Sequence, residues 1–307
     1  MNRNKAKKKV KNLWTILRKS TVHFLDNRPV ELAGTTAYFA IFSTAPIMIV
    51  IISVFGYLAG KSTIREKLFE ELGVLVGPDS TGLLENAIDN YRIVENSGIG
   101  SIIGIVAFLV FATTLFSVMQ NSIDFIWRVR VKSNLKMNLI KLVMDRLLSF
   151  GVILTIGFVL LISLVVDAGI NILRDFLSTY FSPNFVVLAW ITNLVVTLGI
   201  IMTSFALIYR FLPDVLVRWN AAWFGAFFTS IFFTLGKLLI GLLVGSSNLG
   251  AVYGAASSIV VLLMWIYYSS LIFYFGVQLS YEFSHFHKHQ NLPKNYAMNF
   301  RIDHEGE

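Results

Sequence analysis

One lysine stands inside a run of apolar residues long enough to cross a bilayer. Lys237 lies in Thr234-Leu235-Gly236-Lys237-Leu238-Leu239, where an ammonium is costly unless it meets water, a headgroup or an anion. Its apolar run starts near Trp219. At about 1.5 Å per residue, Lys237 sits roughly 27 Å along that helix, beyond the midplane and toward the outer side. Two readings are open. The cation faces a cavity and holds the phosphate or carboxylate of a lipid, or its stem snorkels to the outer headgroups.

Other polar residues sit where apolar runs end. Gln120, Asn121 and Asp124 close one run; they line the cytoplasmic mouth of a cavity, or they cap a helix at the interface. Arg210 is expected at the same mouth, and Tyr253 and Gln278 complete the candidate substrate-binding set. Asp145 and Arg146 are placed to pair, and Asn193 to hydrogen-bond between helices.

Enzyme chemistry finds no footing. There is no cysteine, which removes thiol nucleophiles, disulfides and cysteine metal sites. His285, His287 and His289 are the only histidine cluster. They lack a nearby carboxylate, so no metal site is expected. No phosphate-cradling glycine loop, nucleophile–histidine–acid set or carboxylate pair can be drawn, and neither a catalytic residue nor a cofactor is expected.

The elements that must position these residues are membrane helices. Of the 307 residues, 55% are hydrophobic and only 14% charged, and mean hydropathy is +0.67. A soluble domain carries about 25% charged residues. Apolar runs at about 32–59, 97–119, 147–167, 184–208, 219–244 and 251–279 each suit a crossing of about 20 residues. A charge-free stretch from Leu238 to Tyr281 is broken at Gly245-Ser246-Ser247-Asn248-Leu249-Gly250, a turn composition. The expected class is all-α, a polytopic membrane protein with six transmembrane helices.

Charge sets the orientation. Twenty of the 26 Lys and Arg fall before the first run, between the second and third, between the fourth and fifth, and after the sixth. The positive-inside rule then puts both termini in the cytoplasm of a multi-pass inner or plasma membrane protein. The net charge of +8 is thereby explained without nucleic acid, which is not an expected partner. Membrane lipids are the expected partners, with a homo-oligomer left open by the glycine pattern.

Outside the runs, residues 1–31 form a basic amphipathic helix, with Val10, Leu13, Trp14, Leu17, Thr21, Phe24 and Leu25 on one face. Residues 61–95 read as an external helical hairpin, turning at Gly77-Pro78-Asp79-Ser80. The tail, 284–307, is polar and expected to be disordered. Gly100/Gly104, Gly241/Gly245 and Gly250/Gly254 are pairs that allow close helix approach. Pro46 removes a backbone bond inside the first run, so a kink is expected there.

Three stretches in combination resemble the YihY/BrkB family of inner-membrane proteins: Ala37-Tyr38-Phe39-Ala40-Ile41-Phe42-Ser43-Thr44-Ala45-Pro46; Tyr209-Arg210-Phe211-Leu212-Pro213-Asp214 with Trp219; and Gly236-Lys237 followed by Ala251-Val252-Tyr253-Gly254-Ala255. The resemblance covers about residues 25–283. It implies six spans with both termini inside. Relatives carry a ribonuclease label, or are linked to serum resistance or to export of envelope lipids. They often end the last span with Gly-Ala-Glu-Leu-Asn. Here Gly276-Val277-Gln278-Leu279-Ser280 stands instead, so no carboxylate role carries over, and Glu282 is the available substitute. The expected function is transport or handling of an amphipathic, lipid-like anionic substrate. Alternatives are a non-transporting scaffold for envelope enzymes and a membrane-attached ribonuclease.

Overall fold

The computed structural model describes residues 3–95, 99–132, 150–166, 184–246, 256–288 and 292–300, with single positions 144, 147, 148, 169 and 253. Helix α1 (Arg3–Asp26) leads through Asn27 and Arg28 into α2 (Pro29–Ala59). Pro29 suits the first turn, where its missing N–H is no loss. Helix α2 continues through Pro46. Gly60 and Gly77, at φ +90° and +81°, separate α2 from α3 (Lys61–Val76) and α3 from α4 (Pro78–Glu95), a backbone conformation that costs only glycine nothing.

Then follow α5 (Ile99–Ile126), β1 (Val129–Val131), α6 (Phe150–Val166), α7 (Asn184–Phe211), α8 (Trp219–Ser246), α9 (Ser257–Phe286) and β2 (Ala297–Asn299). Four segments among the described residues are long and apolar enough to cross a membrane: Pro29–Ala59, Leu194–Phe211, Trp219–Leu242 and Ser257–Phe286. Helix α6 is a shorter apolar helix, and α5 runs over the second apolar stretch.

Helix α9 is the centre of the bundle and packs on α8, α2, α1 and α5; α7 packs on α8, and α2 on α5. Tyr209, Ile123, Leu212, Tyr274 and Leu279 are fully buried between them. Outward, Tyr38, Phe42, Tyr57, Leu238 and Leu242 are exposed, as suits helices whose solvent is lipid. Polar side chains join helices inside instead. Tyr209 donates to the Phe273 carbonyl at 2.8 Å and meets Thr229 at 2.9 Å; Thr36 meets the Tyr274 hydroxyl; Ser43 donates to the Phe111 carbonyl at 2.7 Å.

Close approach occurs at glycines other than those the spacing singled out. A Cβ on Gly225 would strike the Gly276 carbonyl, and one on Gly276 would strike Thr229 and Tyr209. Gly241 is exposed, and a Cβ there would meet nothing within 4 Å. Among the described residues it therefore makes no close packing contact. Gly250 and Gly254 lie outside the described residues, as does the side-chain environment of Gly245.

One end of the bundle carries α1, the start of α2 and α8, and the ends of α5, α7 and α9. The other carries α3 and α4, where Ser80 donates to the Ser258 carbonyl at 2.9 Å. Two expectations change at the first end. Residues 292–300 of the tail are ordered: β2 pairs antiparallel with β1, Val129 opposite Asn299 and Val131 opposite Ala297. This sheet is also a departure from an all-helical chain. Helix α9 itself runs seven residues past the expected limit at Leu279, and Glu282 and Ser284 are buried. The reason for the ordered tail is tertiary: it pairs with β1, the Leu216 N–H in the loop after α7 donates to the Leu292 carbonyl, and Phe300 packs on Phe125 of α5.

Candidate functional site

Helix α7 stops at Phe211 because Pro213 supplies no N–H and disfavours a helical Leu212. The loop that follows turns Asp214 inward until it is 1% exposed. Its Oδ1 accepts from Gln120 Nε2 at 2.8 Å and from the Tyr296 hydroxyl at 2.9 Å, with Lys294 Nζ at 3.9 Å. Its backbone N–H donates to Asp124 Oδ1 at 2.7 Å, and its carbonyl accepts from the Lys294 N–H at 2.8 Å. Buried carboxylates persist only when hydrogen-bonded or paired, and here the donors come from two separate parts of the chain, α5 and the 292–300 segment. Gln120 and Asp124 therefore meet at Asp214, in a buried hub. Asn121 is not with them, because it points to the exposed side of α5.

Gln278 serves a second cluster. It accepts from Asn27 Nδ2 at 2.8 Å and donates to Glu282 Oε1 at 3.2 Å, and His23 Nδ1 lies 2.6 Å from that same oxygen. Arg128 donates to Asn27 Oδ1 at 2.7 Å. Burial pulls the Arg128 guanidinium below its usual value, and the nearby Asp26 opposes this. The cluster ties α1 to α9 and to the turn after α5.

Among the described residues, a groove lies between α6 and α7. Leu147, Gly151, Thr155, Leu207, Ile208 and Phe211 line part of a groove of about 220 Å³. Leu147 and Phe211 on its rim are exposed, at 63% and 52%. The Phe211 ring stands edge-on to Trp219 at 5.9 Å, and the Arg210 guanidinium sits over the same indole at 5.7 Å. The half-buried Arg210 thus lies beyond the Phe211 rim, across the Trp219 indole, and outside the groove lining itself. An acyl chain and an anionic headgroup have that chemistry.

The remaining candidates are apart from it. Lys237 is half-buried on α8 between the exposed Leu235 and Leu238. It is 18 residues from Trp219, about 27 Å along the helix. Tyr253 is 49% exposed. Asp145 and Arg146 lie outside the described residues; so does the side chain of Asn193, and so does His289. His285 stacks on Tyr281, and His287 packs on Phe283. Among the described residues no three His, Asp or Glu gather as a metal site.

Asp214, Tyr296 and Asn27 were not singled out from the sequence as site residues. Asp214 had a signal, because it closes the Leu212-Pro213-Asp214 loop. Tyr296 and Asn27 had none, since their partners are 82 and 251 residues away.

The family model for virulence factor BrkB matches residues 21–299. The chain belongs to the BrkB family. A UPF0761 membrane protein of Haemophilus influenzae is 26% identical over 84% of this chain and 90% of its own length. One of Acinetobacter baylyi is also 26% identical, over 86% of this chain and 61% of its own length. One of Idiomarina loihiensis is 27% identical, over 76% of this chain and 78% of its own. No solved structure matches. The BrkB match takes in Asp124, Asp214, Gln278 and Tyr296, so the docked tail segment lies within the family's own boundaries.

Proposed function

We propose that this BrkB-family chain crosses the inner membrane six times with both termini in the cytoplasm, and that it handles an amphipathic, anionic, lipid-like substrate. The observation that carries the reading is the apolar groove between α6 and α7, whose Phe211 rim meets Trp219 and, over that indole, Arg210. The groove accepts an acyl chain; the guanidinium meets the phosphate or carboxylate. The excess of Lys and Arg near α1, β1 and the tail makes that end cytoplasmic, so Arg210 serves the inner leaflet. Lys237, most of a bilayer away along α8, is then the cation available to a headgroup in the outer leaflet. The helical pair α3–α4 stands on the outer face.

Mass spectrometry of lipid retained after purification in mild detergent tests this. Wild type retains an anionic lipid above its membrane abundance, and Arg210→Gln loses that enrichment. Bulk lipid in both proteins sinks the reading.

A further inference from the structure

Helix α1 has a face that the bundle does not use. It docks on α9 through Ile16, Ser20 and Phe24, all buried, with Asn27 just beyond its end bound to Gln278. Its apolar stripe lies beside that docked face: Val10 is 67% exposed, Trp14 67% and Leu25 66%. Lys11, Arg18 and Lys19 follow on the far side of the stripe, all exposed. Around the helix the order is therefore docked face, apolar stripe, basic face. A helix that needed only to pack on α9 would leave polar residues beside the contact, as Leu-and-Trp surface in water is unfavourable.

We infer that α1 is a membrane-surface element: its Val10–Trp14–Leu25 stripe lies in the acyl–headgroup boundary of an anionic bilayer, and Lys11, Arg18 and Lys19 engage lipid phosphates. Apolar and basic faces side by side are what an interfacial helix requires, and juxtamembrane cations are drawn to anionic lipid. The dock onto α9 fixes the helix at the end where the bundle meets that surface. The inference is independent of whether the α6–α7 groove holds a substrate.

The absence of cysteine makes the test direct. A fluorophore is attached to Trp14→Cys, and separately to Asp26→Cys on the exposed polar side, in the full chain in nanodiscs. In discs containing phosphatidylglycerol, nitroxide-bearing lipid quenches the label at 14 while iodide in the water does not; the label at 26 shows the reverse. Lys11→Gln, Arg18→Gln and Lys19→Gln together return the label at 14 to its behaviour in phosphatidylcholine discs, where iodide reaches it more. Three outcomes overturn the inference. Iodide reaches position 14 freely in anionic discs; neither quencher reaches it, so that protein covers the stripe; or the triple variant changes nothing. Both labelled positions are exposed, so neither substitution disturbs a buried contact.

Discussion

The Tyr296 hydroxyl donates to the Asp214 carboxylate at 2.9 Å, across 82 residues of chain. That bond fastens the C-terminal segment to the loop between α7 and α8, and through Gln120 and Asp124 to α5. Tyr296→Phe keeps the ring and removes the donor. A hydrogen bond to a charged acceptor is worth about 1.5–3 kcal/mol, so the apparent melting temperature in detergent falls. Asp214→Asn keeps the shape and falls further, since it also loses the pairing with Lys294. An unchanged melting temperature for both would mean that the tail is not held there.

Gly276→Ala and Gly241→Ala separate true close packing from a sequence pattern. A methyl on Gly276 meets Thr229 and Tyr209, whereas one on Gly241 meets nothing. Overpacking costs about 1–3 kcal/mol. Thermal unfolding therefore shows Gly276→Ala destabilised and Gly241→Ala near wild type.

Lys237→Leu removes a half-buried cation from an apolar helix. A Lys at a helix centre opposes insertion by about 2.5–3.5 kcal/mol, and less toward the ends. The variant is thus at least as stable as wild type, yet retains less anionic lipid after purification. Loss of stability instead would make Lys237 a structural residue.

Arg65 joins α3 to α4, with Nη1 2.7 Å from Asp89 and Nη2 2.9 Å from Glu85. The two carboxylates hold its guanidinium even more firmly charged than usual. Both carboxylates are about half exposed, at 48% and 50%, so the pairing is worth about 1 kcal/mol at most. Arg65→Ala speeds proteolysis within residues 61–95 and leaves the rest of the bundle intact, and high salt reproduces part of the effect.

Single cysteines in the cysteine-free chain report topology. A membrane-impermeant maleimide reacts with Glu70→Cys on intact spheroplasts, and with Lys288→Cys only after the membrane is opened. The reverse pattern would invert the orientation.

The membrane character, the helices and the family were legible in the residues themselves. Long charge-poor runs have one stable solution in lipid, because a helix satisfies every backbone group from within its own segment. The Gly60 and Gly77 breaks are local as well. Gln120 and Asp124 could be picked out because polar groups at the end of an apolar run are conspicuous. Their shared partner Asp214 had only its place in the Leu212-Pro213-Asp214 loop to mark it. Nothing local marks Tyr296 or Asn27, and a polar tail reads as loose until β1 and the loop after α7 are seen to hold it. Glycine spacing likewise identified Gly241, while Gly225 and Gly276, two of the positions without room for a side chain, depend on which faces of α8 and α9 meet. Composition and periodicity determine what each segment is and which solvent it wants. Which buried carboxylate meets which donor, and which face of α1 is docked and which left bare, is decided by contacts between segments distant in the chain, where only the assembled bundle brings the partners within hydrogen-bond reach.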